Sequence, residues 1–108
     1  MSDYIKACTL SDIQEDTGIC VLVEGKQVAL FRPRNNDTIY ALGNFDPIGK
    51  ANVLSRGLIS EVKSKMTVAS PLYKQHYCLD DGVCLEDDTV KVETYEVSVK
   101  DNDILVRV

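Results

Sequence analysis

The sequence predicts an all-β fold, a β-sandwich or partly open barrel of short antiparallel strands with little helix. Tyr95, Val97 and Val99 alternate with Glu96, Ser98 and Lys100. Ile104, Val106 and Val108 alternate in the same way after the turn at Asp101-Asn102. A period of two marks a strand with one face buried. Short β-rich segments also recur at close intervals, separated by Gly, Pro, Asn and Asp.

Taken in order, Ser11-Asp12-Ile13-Gln14 fits a capping box with Ser11 as N-cap and Gln14 three residues on. The helix it opens must be short, because Gly18 follows. Residues 20–24 are β-rich, and Gly25-Lys26 suits a two-residue type II′ turn with Gly at its first central position. Residues 27–31 then return antiparallel. A polar loop spans 32–37, and 38–42 form a third strand. From 43 to 56, two glycines, a proline and aperiodic apolar residues read as a long loop. Residues 58–59 and 66–69 are short strands on either side of a charged segment, 60–65. A second irregular stretch, 70–76, opens with Ser70-Pro71. Residues 77–79 and 83–85 form a small hairpin about Asp81-Gly82. With no repeats or linkers, residues 1–108 read as a single domain. Its two long loops on a β scaffold are where a site is expected.

Composition narrows the function. The chain has 108 residues, is 44% hydrophobic and carries a net charge of −5. That length supports one core. The acidic balance argues against nucleic acid, which is bound by clustered Lys and Arg, and against an anionic membrane surface. The start, Met1-Ser2-Asp3-Tyr4-Ile5-Lys6, lacks the basic and apolar regions of a signal peptide. No apolar run reaches bilayer length. A cytoplasmic protein is expected. Cys8, Cys20, Cys78 and Cys84 make an even count, but a reducing compartment keeps such thiols free. Their spacings do not match the close pairs of structural zinc sites. Small buried apolar residues are the expected reading.

The loops carry a resemblance. Tyr40-Ala41-Leu42-Gly43-Asn44, followed by a loop with proline, resembles the approach to the first ligand loop of Rieske ferredoxins, where the family has Cys-Pro-His. This chain has Asp46-Pro47-Ile48. The family's second loop, Cys-Pro-x-His-Gly, corresponds to Ser70-Pro71-Leu72-Tyr73-Lys74. Beyond it lie Tyr77, where the family has Phe, and Asp81-Gly82, where the family hairpin closes with Thr-Gly. The resemblance runs from about residue 20 to 108.

A Rieske [2Fe–2S] centre takes two cysteines and two histidines. By this alignment all four ligands are replaced, with Asp46 and Ser70 in place of Cys and Ile48 and Tyr73 in place of His. The one histidine, His76, cannot supply two ring nitrogens. Ile48, Leu54, Leu72 and Tyr73 are expected to fill the vacated space, and Asp46 is expected to initiate a turn before Pro47.

More specific motifs are similar to the bacterial NAD(P)H nitrite reductase small-subunit family. These are Asn44-Phe45-Asp46-Pro47, Ser55-Arg56-Gly57-Leu58-Ile59, Ala69-Ser70-Pro71-Leu72-Tyr73-Lys74-Gln75 and Leu79-x-Asp81-Gly82-x-Cys84. The resemblance implies a subunit with no cofactor and no catalytic or metal site of its own, monomeric when isolated. Its partner would be a large subunit carrying FAD, an iron–sulfur cluster and sirohaem, which reduces nitrite to ammonium in nitrate and nitrite assimilation. The expected partner face is the end bearing the two former ligand loops, with Ile48, Leu54, Arg56, Tyr73, Lys74, Gln75 and His76. Alternatives are a Rieske-type electron-transfer ferredoxin, against which the missing ligands count, and a generic interaction or thiol-sensing module.

Overall fold

In a computed structural model, which describes residues 4–34, 38–72 and 74–108, the chain is built almost wholly of antiparallel strands. Six of them form one curled sheet, a half-barrel: β1 (Tyr4–Thr9), β2 (Thr17–Val23), β3 (Lys26–Arg32), β4 (Tyr40–Gly43), β10 (Thr94–Lys100) and β11 (Asp103–Arg107). Their order across the sheet is β1-β11-β10-β4-β3-β2, and the edge strands β1 and β2 come into contact as it curls. The intervening chain makes a two-stranded ribbon, β5 (Phe45–Asp46) with β6 (Ala51–Asn52). It also makes a three-stranded sheet of β7 (Leu58–Val62), β8 (Lys65–Ala69) and β9 (His76–Cys78).

β3 explains how these layers are held together. Its run Val28-Ala29-Leu30-Phe31 is buried throughout, although the strand period sends successive side chains to opposite faces. Val28 and Leu30 enter a core inside the curl with Ile13, Val23, Ala41, Ile104 and Val106. Ala29 and Phe31 enter a second core on the other face, with Leu42, Leu54, Val68, Tyr77, Leu79 and Cys84. That second core seats the three-stranded sheet and the long loops on the half-barrel. A strand buried on both faces reads as a continuous apolar run.

Three hairpins share one device. Glu24 and Gly25, Lys63 and Ser64, and Asp101 and Asn102 join paired strands, and both residues of each pair have positive φ, from 49° to 81°. Left-handed backbone at both central positions is the type I′ turn, whose twist matches that of the flanking strands. The expected type II′ turn at Gly25-Lys26 is therefore shifted by one residue, and Lys26 already pairs with Val23 in the ladder. The charged segment 60–65 is mostly strand, because the Lys63-Ser64 turn lets β7 and β8 pair along their length.

The helix start also moves. A single 3₁₀ turn, Leu10–Asp12, follows Thr9, whose backbone N–H donates to Asp12 Oδ2 at 2.9 Å. The reaching carboxylate thus belongs to Asp12, three residues after Thr9, and Ser11 and Gln14 do not form the box. β1 had no counterpart in the sequence reading. Ile5 and Ala7 give it a weak apolar face against the inner core, and it is paired with β11 at the far end of the chain. In β10 the alternation holds for Tyr95 and Val97 but ends at Val99, which is exposed.

Candidate functional site

The two long loops meet at one end of the molecule, and a buried carboxylate joins them. Asp46, in β5, has no exposed surface. Ser70 Oγ donates to its Oδ2 at 2.5 Å, and the Tyr77 hydroxyl and the Ile48 N–H donate to its Oδ1 at 2.8 and 2.9 Å. The nearby Gly49 N–H also favours the charged carboxylate. Burial alone would raise the Asp46 carboxyl, but these donors outweigh it and hold the group below the usual carboxylate range. Burial first, then the hydrogen bond to Asp46 and its charge, raise the Tyr77 phenol above its ordinary value. The second loop is closed by its own backbone, Ser70 N–H to Gln75 O and Lys74 N–H to Ser70 O.

The first loop is organised by Asn44, which is also buried. Its Oδ1 accepts the Ser55 N–H at 2.7 Å, its backbone carbonyl accepts the Leu54 N–H, and its Nδ2 donates to Gln27 Oε1 at 3.0 Å. After Arg56 the chain runs hard against β8. A Cβ on Gly57 would overlap Ala69 O and Val68 Cγ2, so only glycine fits without movement. Gly49 is similarly crowded, with Leu72 Cδ1 2.6 Å and Asp46 Oδ2 2.8 Å from where a Cβ would stand.

These contacts revise the expected filling. Ile48 is half-buried against the second core, and Leu72 lies over Gly49 while remaining 47% exposed. Between the two loops stands the hydrogen-bonded set Asp46, Ser70 and Tyr77, not an apolar plug. Asp46 does accept the Ile48 N–H as in a turn, but its larger role is to tie the loops. Tyr77 and Asn44 were missed as organisers. The sequence marks Tyr77 only as a hairpin residue at the family's Phe position, and Asn44 only as part of a motif.

Among the expected partner-face residues, Leu54 is fully buried in the second core and presents no surface for a contact. This is a correction, and its cause is the 3₁₀ turn Leu54–Arg56, which points Leu54 inward and leaves Arg56 exposed. Lys74 is exposed, Gln75 and His76 are half-buried, and Tyr73 lies outside the described residues. His76 is fastened to Glu86, its N–H donating to Oε1 at 2.8 Å and its Nδ1 lying 2.7 Å from Oε2.

The residues present do not fit a [2Fe–2S] cluster. Asp46 and Ser70 satisfy each other, and Ile48 has no ligating atom. Among the described residues no group of three or more His, Cys, Asp or Glu side chains is placed to hold a metal ion. Cys78 and Cys84 are buried, Cys8 is half-buried, and Cys20 is exposed against the expectation of burial. The thiols of Cys8, Cys20 and Cys84 are all raised above the ordinary value, chiefly by burial. A sensing thiol needs the opposite shift. Among the described residues no helix is long and apolar enough to cross a membrane.

Known proteins place this arrangement. The Rieske-like [2Fe-2S] domain family matches residues 3–107. The nitrite reductase (NADH) small subunit of Salmonella typhimurium is 46% identical over 107 residues, spanning 99% of each chain. The solution structure of the Escherichia coli protein NirD superposes with a TM-score of 0.92 at 44% identity, covering all of this chain and 98% of that one. A nitrite reductase [NAD(P)H] large subunit from Klebsiella oxytoca is 38% identical over 99 residues, which are 92% of this chain but only 10% of that protein. The chain belongs to the Rieske-like domain family and, within it, to the nitrite reductase small subunits.

Proposed function

We propose that this chain is the cofactor-free small subunit of an NAD(P)H-dependent nitrite reductase, acting beside a catalytic large subunit in nitrite assimilation. The observation that supports this most is the 46% identity to a nitrite reductase small subunit over nearly the whole of both chains. The site agrees with it. A domain whose ligand loops are tied by Asp46, Ser70 and Tyr77 keeps the Rieske shape while giving up its electron-carrying centre. The chemistry then falls to the large subunit, whose FAD, iron–sulfur cluster and sirohaem would pass electrons from NAD(P)H to nitrite. The small subunit is cytoplasmic, monomeric on its own and free of nucleic acid. Its contacts with the partner come from the loop end, through Ile48, Arg56, Tyr73, Lys74, Gln75 and His76.

The test is to tag the chain, purify it gently from its own host grown on nitrite and record what accompanies it. A large subunit with flavin and sirohaem absorption is the expected companion. Nitrite-dependent NAD(P)H oxidation should fall when the gene is deleted and return when it is restored. Unchanged oxidation in the deletion strain would sink the proposal.

A further inference from the structure

Charge is divided unevenly over the surface. The loop segments 43–58 and 70–76 contain Lys50, Arg56 and Lys74, and their one carboxylate is the buried Asp46. Their formal charge is therefore +2, against −7 for the rest of a chain whose net charge is −5. All three cations are exposed, and among the described residues none of them forms an ion pair. Lys50 and Lys74 hold left-handed backbone, φ 58° and 62°, where glycine or asparagine would be the easier residue.

The same end is apolar. Phe45, Leu58 and Leu72 are 48, 75 and 47% exposed, three of the six exposed large hydrophobic residues among those described. Leu58 pairs with Ala69 at the foot of the second loop, and Leu72 lies on Gly49 of the first. The groove beside Phe45 and Pro47 adds Lys26 and Lys91. It contains one carboxylate, Glu93, which accepts the Tyr95 hydroxyl at 3.0 Å. Glu86, at the border of the second loop, is engaged by His76. Exposed apolar side chains on loops that also carry exposed cations without ion pairs mark a protein contact surface.

The occupant follows from the Klebsiella oxytoca relative, in which the stretch that matches this chain is one-tenth of a large-subunit chain. Where the two are separate chains, the contacts must do what the covalent link does there. We infer that one copy of this chain docks on one large subunit through its basic, apolar loop end, against a surface of that subunit bearing carboxylates around an apolar patch. This rests on the proposed function, including the loop-end face proposed there, and adds the chemistry of the counterpart surface and the stoichiometry.

The test titrates the purified large subunit with this chain, by calorimetry for affinity and light scattering for mass. Three variants are compared with wild type: Lys50→Glu/Lys74→Glu, Leu58→Ser/Leu72→Ser, and, away from this end, Lys65→Glu/Lys100→Glu. All substituted residues are exposed, and thermal melts verify that each variant is folded. The first two variants should bind at least about tenfold more weakly than wild type, about 1.4 kcal/mol. The third makes the same charge change and should stay within about twofold. Wild-type binding should weaken with added salt, as expected where the Debye length falls to about 10 Å at 0.1 M, and the charge-reversed variant should respond less. If folded loop-end variants bind like wild type, or no more weakly than the control, the face is wrong. A complex mass other than one small chain per large chain overturns the stoichiometry. If wild type itself does not bind, it is the proposed function that fails.

Discussion

Replacing Tyr77 by Phe tests the buried node with one atom. The ring stays in the second core and only the hydroxyl that donates to Asp46 Oδ1 at 2.8 Å is lost. Tyr77 and Asp46 are both fully buried, so water cannot readily take its place. A hydrogen bond to a charged group contributes about 1.5–3 kcal/mol. In a domain of about 100 residues each kcal/mol shifts Tm by about 4–8 °C. Tyr77→Phe should therefore lower Tm by about 6–24 °C at pH 7, read by circular dichroism.

The pH dependence separates this bond from packing. Asp46 is held below its unfolded value of about 3.9. Its contribution is complete above that value and is lost as pH falls through the folded pKa. Removing a donor raises the folded pKa toward the unfolded one. The gap between wild type and Tyr77→Phe should then be constant from pH 7 to about 5 and narrow only as pH falls through the lowered folded pKa, where the carboxyl becomes neutral and the bond weaker. A Tm loss under about 2 °C at pH 7, or a gap that widens as pH falls, would refute the reasoning.

Other perturbations separate core from surface. Leu54→Ala should cost about 2–5 kcal/mol in urea unfolding, as for a buried leucine, whereas Arg56→Ala, exposed and without an ion pair among the described residues, should change stability by less than about 0.5 kcal/mol. Gly57→Ala forces a methyl group against the β8 backbone and should cost about 1–3 kcal/mol, seen as a lower urea midpoint at unchanged slope. Glu86→Ala removes both contacts with His76. Because Glu86 is about half exposed, global stability should fall by less than about 1 kcal/mol, while amide exchange at His76 accelerates.

What could be read from the chain alone was local. The alternation at Tyr95 and Val97 follows from the two-residue period of a strand, and the Asp101-Asn102 turn from the tolerance of those residues for left-handed backbone. The Gly25 hairpin was found, though one residue out, because glycine suits either primed turn and only the pairing of Val23 with Lys26 distinguishes them. The Lys63-Ser64 turn escaped because neither residue advertises positive φ. The absence of the Rieske ligands was legible, since a missing thiol or imidazole is a matter of residue identity.

Tertiary structure decided the rest. A carboxylate looks the same in sequence whether it faces water or is buried. Asp46 became a node only because Ser70 and Tyr77, 24 and 31 residues away, were brought to it by the packing of the three-stranded sheet on β3. The same packing put Leu54 inside and Arg56 outside a single turn, and β1 beside β11 across nearly the whole chain. Strand period and turn chemistry are encoded in neighbouring residues. Partners for a buried polar group, and the choice between core and surface in an aperiodic loop, depend on which distant segments arrive, and the free energy that selects them exists only in the assembled core.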